Sequence, residues 1–202
     1  RTEGIAPHAP FTASPALLAG LARLAARRAL AVSIHWSETA EEVRWLARGD
    51  GPLAPLLGVS PRSSGLDLLE QAGLLGPRLA LVHGNHPGRG EVARIASAGA
   101  VLVHCPGTHA YFGREPAPLG RYRRAGVPIA LGTDSLASNP DLDLRGEMRR
   151  LLAAHPEIAP EEAWAMGTTH AARALGLAGR VGELAPRAHA DLAAFGPFVG
   201  GA

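Results

Sequence analysis

The sequence of 202 residues contains no lysine and a single cysteine, Cys105. One cysteine cannot form an internal disulfide framework, and it cannot supply the paired cysteines of a P-C-x-x-C zinc site. All 20 basic residues are arginines, which accounts for an isoelectric point of about 9.3 at a formal net charge of only +2. Because the arginine pairs fall on predicted helices and form no clustered stripe, we predict no nucleic-acid partner.

Long apolar runs are also missing, because no stretch approaches the 18 or so uninterrupted apolar residues that a membrane-spanning helix needs. No signal-peptide pattern is present at the N-terminus. We therefore expect a cytoplasmic protein with no membrane partner. The sequence also lacks the H-E-x-x-H, Gly-x-Ser-x-Gly, P-loop and Gly-x-Gly-x-x-Gly motifs, which excludes the metalloprotease, serine-hydrolase and nucleotide-binding sites that depend on them.

Five apolar runs each end on a residue that can bind a metal or carry a proton. The runs are residues 4–8, 30–35, 79–83, 100–104 and 128–134, and they end on His8, His35, His83, His104 and Asp134. Continuous apolar runs of this length are typical of parallel strands buried on both faces. Ligands and catalytic groups sit at the carboxyl ends of such strands, in a barrel or in a doubly wound sheet. These side chains can therefore converge on one metal ion or one substrate.

Helix-like stretches separate the five runs. Ser14 is a predicted N-cap with Pro15 at the first helical position. Further helices are predicted at residues 39–48, 66–72, 90–98, 119–125, 143–154, 160–166 and 168–175, with an inserted loop at residues 50–64. A strand followed by a helix, five times over, predicts an α/β fold with a parallel sheet. The tail instead predicts short strands of a separate small sheet, at residues 182–184 and 190–195.

His35 and Glu38 form an H-x-x-E pattern just past a strand end, where a carboxylate can swing beside a metal that the imidazole holds. A structural role at the start of the following helix is equally supported for Glu38. Asp134 ends the most hydrophobic run, and a carboxylate at that depth must be paired, hydrogen-bonded or bound to a cation. A turn or N-cap role is its alternative. For His104, a structural role is favoured over a catalytic one.

Five segments, in this order, resemble motifs of the amidohydrolase superfamily, in its branch of metal-dependent deaminases and chlorohydrolases. They are residues 6–12 (APHAPFT), 34–39 (IHWSET), 81–86 (LVHGNH), 103–106 (VHCP) and 130–139 (ALGTDSLASN), followed by Glu147 and Met148. The branch includes S-adenosylhomocysteine/methylthioadenosine, guanine and aminodeoxyfutalosine deaminases. The resemblance implies a partial (β/α)8 TIM barrel, about strands 4 to 8, in residues 1–178. It also implies that residues 179–202 are a C-terminal remnant of a small β-sandwich.

The resemblance further implies a role for each candidate residue. His35 and Asp134 would bind one divalent metal ion, Zn²⁺ in preference to Fe²⁺. Glu38 would shuttle a proton, His83 would contact the reacting water, Asp134 would help to deprotonate that water, and His8 would contact the substrate. The implied reaction is hydrolytic deamination of a purine-like or nucleoside-like heterocycle by attack of water at the carbon that bears the amino group.

Members of this branch also carry a His-x-His motif on the first barrel strand, and this sequence contains none. With 202 residues it is shorter than the roughly 250 residues typical of a complete barrel, so we expect an N-terminally truncated piece of a longer enzyme. Two alternatives stay open: an amide or carbon–halogen hydrolase on the same scaffold, or a catalytically incomplete fragment. We expect a small-molecule substrate, and the sequence leaves a homodimer open.

Overall fold

The computed structural model describes residues 3–194, which form an α/β fold around one parallel sheet. The strands are β1 (Gly4–Ile5), β2 (Ala31–Trp36), β3 (Leu79–His83), β4 (Val101–His104) and β5 (Ile129–Leu131). The helices are α1 (Pro15–Arg28), α2 (Ala40–Arg48), α3 (Ala54–Leu57), α4 (Gly65–Gln71), α5 (Glu91–Ala98), α6 (Pro106–Tyr111), α7 (Leu119–Arg124), α8 (Leu144–Ala154), α9 (Pro160–Gly167) and α10 (Thr169–Ala174). The predicted alternation of strands and helices is confirmed. The short helices α3, inside the predicted loop, and α6 are additional to the prediction.

The sheet has the order β1-β2-β3-β4-β5, so each strand lies next to the strand that follows it along the chain. All neighbouring pairs are parallel. A doubly wound sheet needs a reversal of strand order, and the strands within residues 3–194 show no reversal. Because crossovers between parallel strands are right-handed, an order without reversal carries its crossover helices on one face of the sheet.

The register between β2 and β3 sets the positions of two candidate site residues. His35 pairs with Val82 and Trp36 pairs with His83, so the two histidines lie on neighbouring strands at the same edge of the sheet. β3 is the central strand, and every one of its residues is buried. Continuous burial of an apolar strand is expected for a parallel sheet, and here it ends on an imidazole.

The strands β1 and β5 are shorter than the apolar runs that predict them. Pro7 has no amide hydrogen to donate, which disfavours continuation of the ladder beyond Ile5. After β5, the Gly132 amide still donates to the carbonyl oxygen of His104 at 2.9 Å, and Asp134 then adopts a left-handed backbone with a φ of 57°. The early strand ends therefore leave His8 and Asp134 in loops at the carboxyl edge of the sheet.

The core lies between the sheet and its helices. The main cluster of buried apolar side chains joins Val32 and Ile34 of β2 and Leu79 and Leu81 of β3 to helix residues such as Leu18 of α1. Burial of each such side chain contributes roughly 1.5–3 kcal/mol. This cluster fixes the strands on which the candidate site is built.

Side-chain caps begin the helices that follow β1 and β2. Ser14 Oγ accepts a hydrogen bond from the Leu17 amide at 3.2 Å, with Pro15 at the first helical position, as predicted. Thr39 Oγ1 accepts from the Glu42 amide at 3.1 Å at the start of α2. Within residues 3–194, none of the helices combines the length and the apolar character needed to cross a bilayer.

The predicted C-terminal strands are not formed within the described part of the tail. Residues 179–194 contain turns and bends and pair with no strand, and Phe195 and the residues after it lie outside the described range. The contacts of this segment include a hydrogen bond from the His189 amide to the Arg180 carbonyl oxygen at 2.8 Å. A strand needs backbone partners along its length, and one such bond does not form a ladder. The assignment of residues 179–202 to a separate domain stays a prediction.

Gly84, directly after β3, tests how tightly this edge of the sheet is packed. Its φ is +60°, and a Cβ there would lie 2.5 Å from Leu102 Cδ1 and 2.7 Å from Tyr122 Oη. We expect Gly84→Ala to lower the free energy of unfolding by about 3–4 kcal/mol, from backbone strain and overpacking together. Gly126, with a φ of +74° and open space around it, is the control, and Gly126→Ala is expected to cost about 1–2 kcal/mol. Urea unfolding measures both, and equal costs would contradict the packing argument.

Candidate functional site

The carboxyl edge of the sheet carries a concentration of left-handed backbone. His8, Ser37, His83 and Asp134 lie at the ends of β1, β2, β3 and β5, with φ between 53° and 76°. Non-glycine residues rarely adopt positive φ, which costs roughly 1–2 kcal/mol for each residue. Three other non-glycine residues in the described part of the chain do so. Strain of this kind gathers at functional sites, where the surrounding contacts hold it in place.

Two imidazoles and a carboxylate meet at this edge. Nδ1 of His35 lies 2.8 Å from Nε2 of His83, although 48 residues separate them along the chain. Nε2 of His83 lies 3.7 Å from Oδ2 of Asp134. One ligand atom from each of the three residues lies within 4.8 Å of the other two. The structure therefore brings together the residues that end the second, third and fifth apolar runs.

His83 is the buried member of this cluster, with 3% of its surface exposed. Burial lowers the pKa of His83 from 6.5 to about 4, because loss of solvent disfavours the charged imidazolium. Glu38 and Asp134 act to raise this pKa but do not offset the burial. At neutral pH the two carboxylates therefore face a neutral imidazole, which has one ring nitrogen able to accept a proton or a metal bond.

Glu38 lies between β2 and α2 and faces the same cluster. Its Oε2 is 3.5 Å from Nε2 of His83, and its Oε1 accepts a hydrogen bond from Nη2 of Arg114 at 2.9 Å. The guanidinium of Arg114 covers the Phe112 ring, with Cζ 4.5 Å from the ring centroid. Arginine thus holds one carboxylate oxygen, and the other is left to exchange a proton with the cluster. Sequence analysis missed Arg114, because it lies 76 residues from Glu38 in a loop without a motif.

His8 stands at the exposed rim of the cluster. Its ring centroid is 5.4 Å from that of His35, and its Nδ1 is 2.7 Å from Oγ1 of Thr12, a contact that orients the ring. Its carbonyl oxygen accepts from the His35 amide at 2.7 Å, so the loop after β1 is tied to β2. An exposed and oriented imidazole beside the cluster can contact a bound molecule.

Asp134 is supported from α6, which the sequence did not predict. Oγ1 of Thr108 donates to Oδ2 of Asp134 at 3.4 Å and lies 2.9 Å from Oγ of Ser138. Thr108 is fully buried, and its contact with Ser138 is shielded from water, whereas its bond to Asp134 is partly buried. The hydroxyl of Thr108 therefore orients Oδ2, the same carboxylate oxygen that lies 3.7 Å from Nε2 of His83.

Buried Glu147 of α8 fixes the loop that carries Asp134. Its carboxylate accepts from the Gly107 amide at 2.6 Å and from Nδ2 of Asn139 at 2.8 Å, and none of its surface is exposed. Asn139 also donates to the carbonyl oxygen of Thr133 at 2.8 Å. The sequence indicates Glu147 only as part of the family pattern, and the fold shows that it holds this loop.

His104 lies apart from this cluster. Its ring packs edge-on against the rings of His109 and His155, with centroids 5.5 Å and 6.1 Å away. Within residues 3–194, the group of possible metal ligands does not include it. Of the five residues that end the apolar runs, His104 is the one that the structure keeps separate.

The donor set of His35, His83 and Asp134 suits a divalent cation of the zinc type. Imidazole nitrogens and carboxylate oxygens are the zinc ligands of catalytic sites, in which three protein ligands leave one position open. The cluster offers two nitrogens and one oxygen, and burial keeps His83 unprotonated at neutral pH. The residues present therefore fit such an ion.

Comparison with known proteins gives a consistent result. Residues 1–201 match the amidohydrolase family. The chain is 36% identical over 197 residues to a protein named 5-methylthioadenosine/S-adenosylhomocysteine deaminase from Syntrophobacter fumaroxidans, and the match covers 93% of this chain and 42% of that protein. The chain therefore spans less than half the length of this relative.

Two solved structures resemble the fold. An adenosine deaminase from Xanthomonas campestris with bound zinc has a TM-score of 0.73 and 31% identity, over 89% of this chain and 40% of that one. A mutant of atrazine chlorohydrolase from Arthrobacter aurescens TC1, in complex with zinc and atraton, has a TM-score of 0.74 and 25% identity, over 88% of this chain and 38% of that one.

The pH dependence of stability is expected to report the buried His104. Burial lowers the pKa of His104 well below 6.5, whereas the unfolded chain takes up a proton near pH 6.5. The unfolded state therefore binds more protons below that pH, and stability falls as the pH falls. His104→Gln should reduce the loss of stability between pH 7.5 and 5.5 by about 1.4 kcal/mol. Urea unfolding in the presence of EDTA measures this difference, and an identical loss in the variant would contradict it.

Proposed function

Because the chain belongs to the amidohydrolase family, we propose that it carries the metal-binding and proton-transferring part of a hydrolytic deaminase. The substrate class is a purine or a nucleoside-like heterocycle, which agrees with the names of its relatives. The observation that carries the proposal is the approach of His35, His83 and Asp134 to within 4.8 Å of one another.

His35 and Asp134 are the residues that would hold a divalent ion, and the imidazole of His83 lies beside them, where it can contact the reacting water. Zinc is favoured, since the donor set fits it and related structures contain it. When bound, such an ion acts as a Lewis acid that makes water nucleophilic at neutral pH.

The proton transfers fall to Glu38 and His83. Glu38 Oε2 can move a proton from the cleft to a ring nitrogen or to the departing amino group, while Arg114 holds Oε1. His83 is neutral at neutral pH and can hold a hydrogen bond from the attacking water at Nε2. Asp134 is held through Oδ2 by Thr108 and can accept a proton from the same water. The balanced outcome is a carbonyl in place of the amino group, with release of ammonia.

His8 is the residue proposed to contact the substrate. It is exposed, it lies beside His35, and Thr12 fixes its ring. An imidazole in this position can donate to or accept from a polar atom of a heterocycle.

We also propose that the five strands are part of a (β/α)8 barrel. On β2 the buried Val32, Ile34 and Trp36 alternate with Ser33, which is exposed. Ser33 lines an apolar cavity of about 350 Å³ together with small residues such as Ala80 and Ala130. The face of the sheet that carries Ser33 thus has small apolar residues and an exposed position. Such a face fits the interior of a barrel that further strands would close.

A second candidate is hydrolysis of a carbon–halogen bond or an amide on the same scaffold, favoured by the similarity to atrazine chlorohydrolase. The same water and proton relay can displace chloride instead of ammonia. A third is a catalytically incomplete fragment, because the chain lacks a His-x-His motif.

Product analysis tests these candidates. The zinc-loaded protein is incubated with 5′-methylthioadenosine, S-adenosylhomocysteine, adenosine and atrazine, and ammonia and chloride are measured. We expect ammonia from at least one of the aminopurine nucleosides and no chloride from atrazine. Chloride release without ammonia would favour the second candidate, and neither product together with substoichiometric zinc would favour the third.

Variants separate metal binding from proton transfer. We expect His35→Ala and Asp134→Ala to lose zinc during dialysis, because each removes a donor. Glu38→Gln should keep its zinc and lose roughly 10²–10⁴-fold in kcat, since an amide cannot carry the proton. The control is Glu41→Gln, which changes an exposed carboxylate three residues away and should leave both properties unchanged. Retention of zinc by both His35→Ala and Asp134→Ala, measured by elemental analysis, would refute the assignment.

A further inference from the structure

The turn that carries Glu38 is fixed by hydrogen bonds to the amide, the hydroxyl and the carbonyl oxygen of the preceding residue, Ser37. Ser37 is 3% exposed and donates its amide to Oε1 of Glu42 at 2.9 Å and its hydroxyl to the His86 carbonyl oxygen at 2.6 Å. The Ser37 carbonyl oxygen accepts from the amides of Asn85 and His86, at 2.9 Å and 3.1 Å. This complete pairing holds a left-handed, non-glycine residue in place.

The backbone of Glu38 is held in the same way. Its amide donates to Oε2 of Glu42 at 2.8 Å, and its carbonyl oxygen accepts from Nδ2 of Asn85 at 3.0 Å. The two oxygens of one carboxylate thus take the amides of two successive residues. Loss of either bond would free the peptide from which the Glu38 side chain projects.

Glu42 does more than cap α2. In a capping box the carboxylate of the third helical residue returns to the amide of the N-cap residue. Here the N-cap is Thr39, and the Glu42 carboxylate also accepts the amides of the two residues before it, Ser37 and Glu38. Glu42 is 2% exposed, and burial raises its pKa from 4.5 to about 6. Burial of a carboxylate costs free energy, and a helix cap alone does not require it. The burial therefore points to a further role for Glu42.

We propose that Glu42 is a positioning residue, whose buried carboxylate fixes the turn at residues 37–38 and so holds the Glu38 carboxyl 3.5 Å from His83. The inference rests on the proposed function, in which Glu38 moves the proton. The carbonyl oxygen of Ser37 accepts the amides of Asn85 and His86, so the turn that Glu42 holds is also tied to the loop after β3.

Glutamine is the sharpest substitution, because it has almost the same shape as glutamate. Its amide offers one acceptor oxygen and directs N–H donors at the second backbone amide, so one of the two bonds to the turn must fail. Glu91 of α5 supplies the matched control, since it is 7% exposed and its carboxylate accepts from the Gly88 amide at 2.6 Å. Glu91 therefore holds a different turn by the same kind of bond.

The experiment compares Glu42→Gln with Glu91→Gln in the zinc-loaded protein, with 5′-methylthioadenosine as substrate. For Glu42→Gln we expect kcat to fall about 10- to 100-fold, while KM and zinc content change less than about twofold. Amide hydrogen exchange at residues 37 and 38, followed by NMR, should become at least about tenfold faster. Glu91→Gln should leave kcat and these two amides within about twofold of the unmodified protein.

Equal losses of kcat in the two variants, or unchanged exchange at residues 37 and 38 in Glu42→Gln, would overturn the proposal. If the unmodified protein releases no ammonia from any of the aminopurine nucleosides tested, the proposed function fails, and the exchange measurement still decides whether Glu42 holds the turn. If Glu42→Gln does not fold, Glu42→Asp is used, which keeps the charge but is one methylene shorter. Faster exchange at the same two amides supports the proposal, and unchanged exchange overturns it.

Discussion

The parallel ladder between β2 and β3 is the constraint on which the candidate site depends. Its register sets Trp36 opposite His83 and brings the His35 ring to the His83 ring across 48 residues of chain. A shift of one residue would turn every side chain of a strand to the other face, and the two imidazoles would no longer meet. The buried apolar side chains of both strands resist such a shift, because it would expose them to water.

Two buried carboxylates hold the loops that extend from this ladder. Glu42 takes the amides of the loop after β2, and Glu147 takes the Gly107 amide and the Asn139 side chain beside the loop after β5. Each loop contains a left-handed residue, Ser37 or Asp134, whose strain of roughly 1–2 kcal/mol must be offset by its surroundings. Charged acceptors form stronger bonds to backbone amides than neutral ones, which suits them to this task.

The electrostatics of the site follow from how unequally its groups are buried. His83 loses its water and stays neutral, whereas Glu38 and Asp134 keep partial contact with solvent at the cleft. Arg114 occupies one oxygen of Glu38, and Thr108 occupies one oxygen of Asp134. Arg114 and Thr108 thereby fix the orientation of the two carboxylates beside the neutral imidazole of His83.

The sequence by itself determined the five strands, most helix boundaries and the edge of the sheet where His35, His83 and Asp134 lie. Apolar runs, the Ser14 cap and the family motifs are local signals, which can be recognised in the sequence without knowledge of the fold. Only the tertiary structure decided that His104 stands apart and that Glu42 and Arg114 hold Glu38. Burial, positive φ and hydrogen bonds between distant segments depend on which surfaces pack together. A short stretch of sequence does not determine that packing.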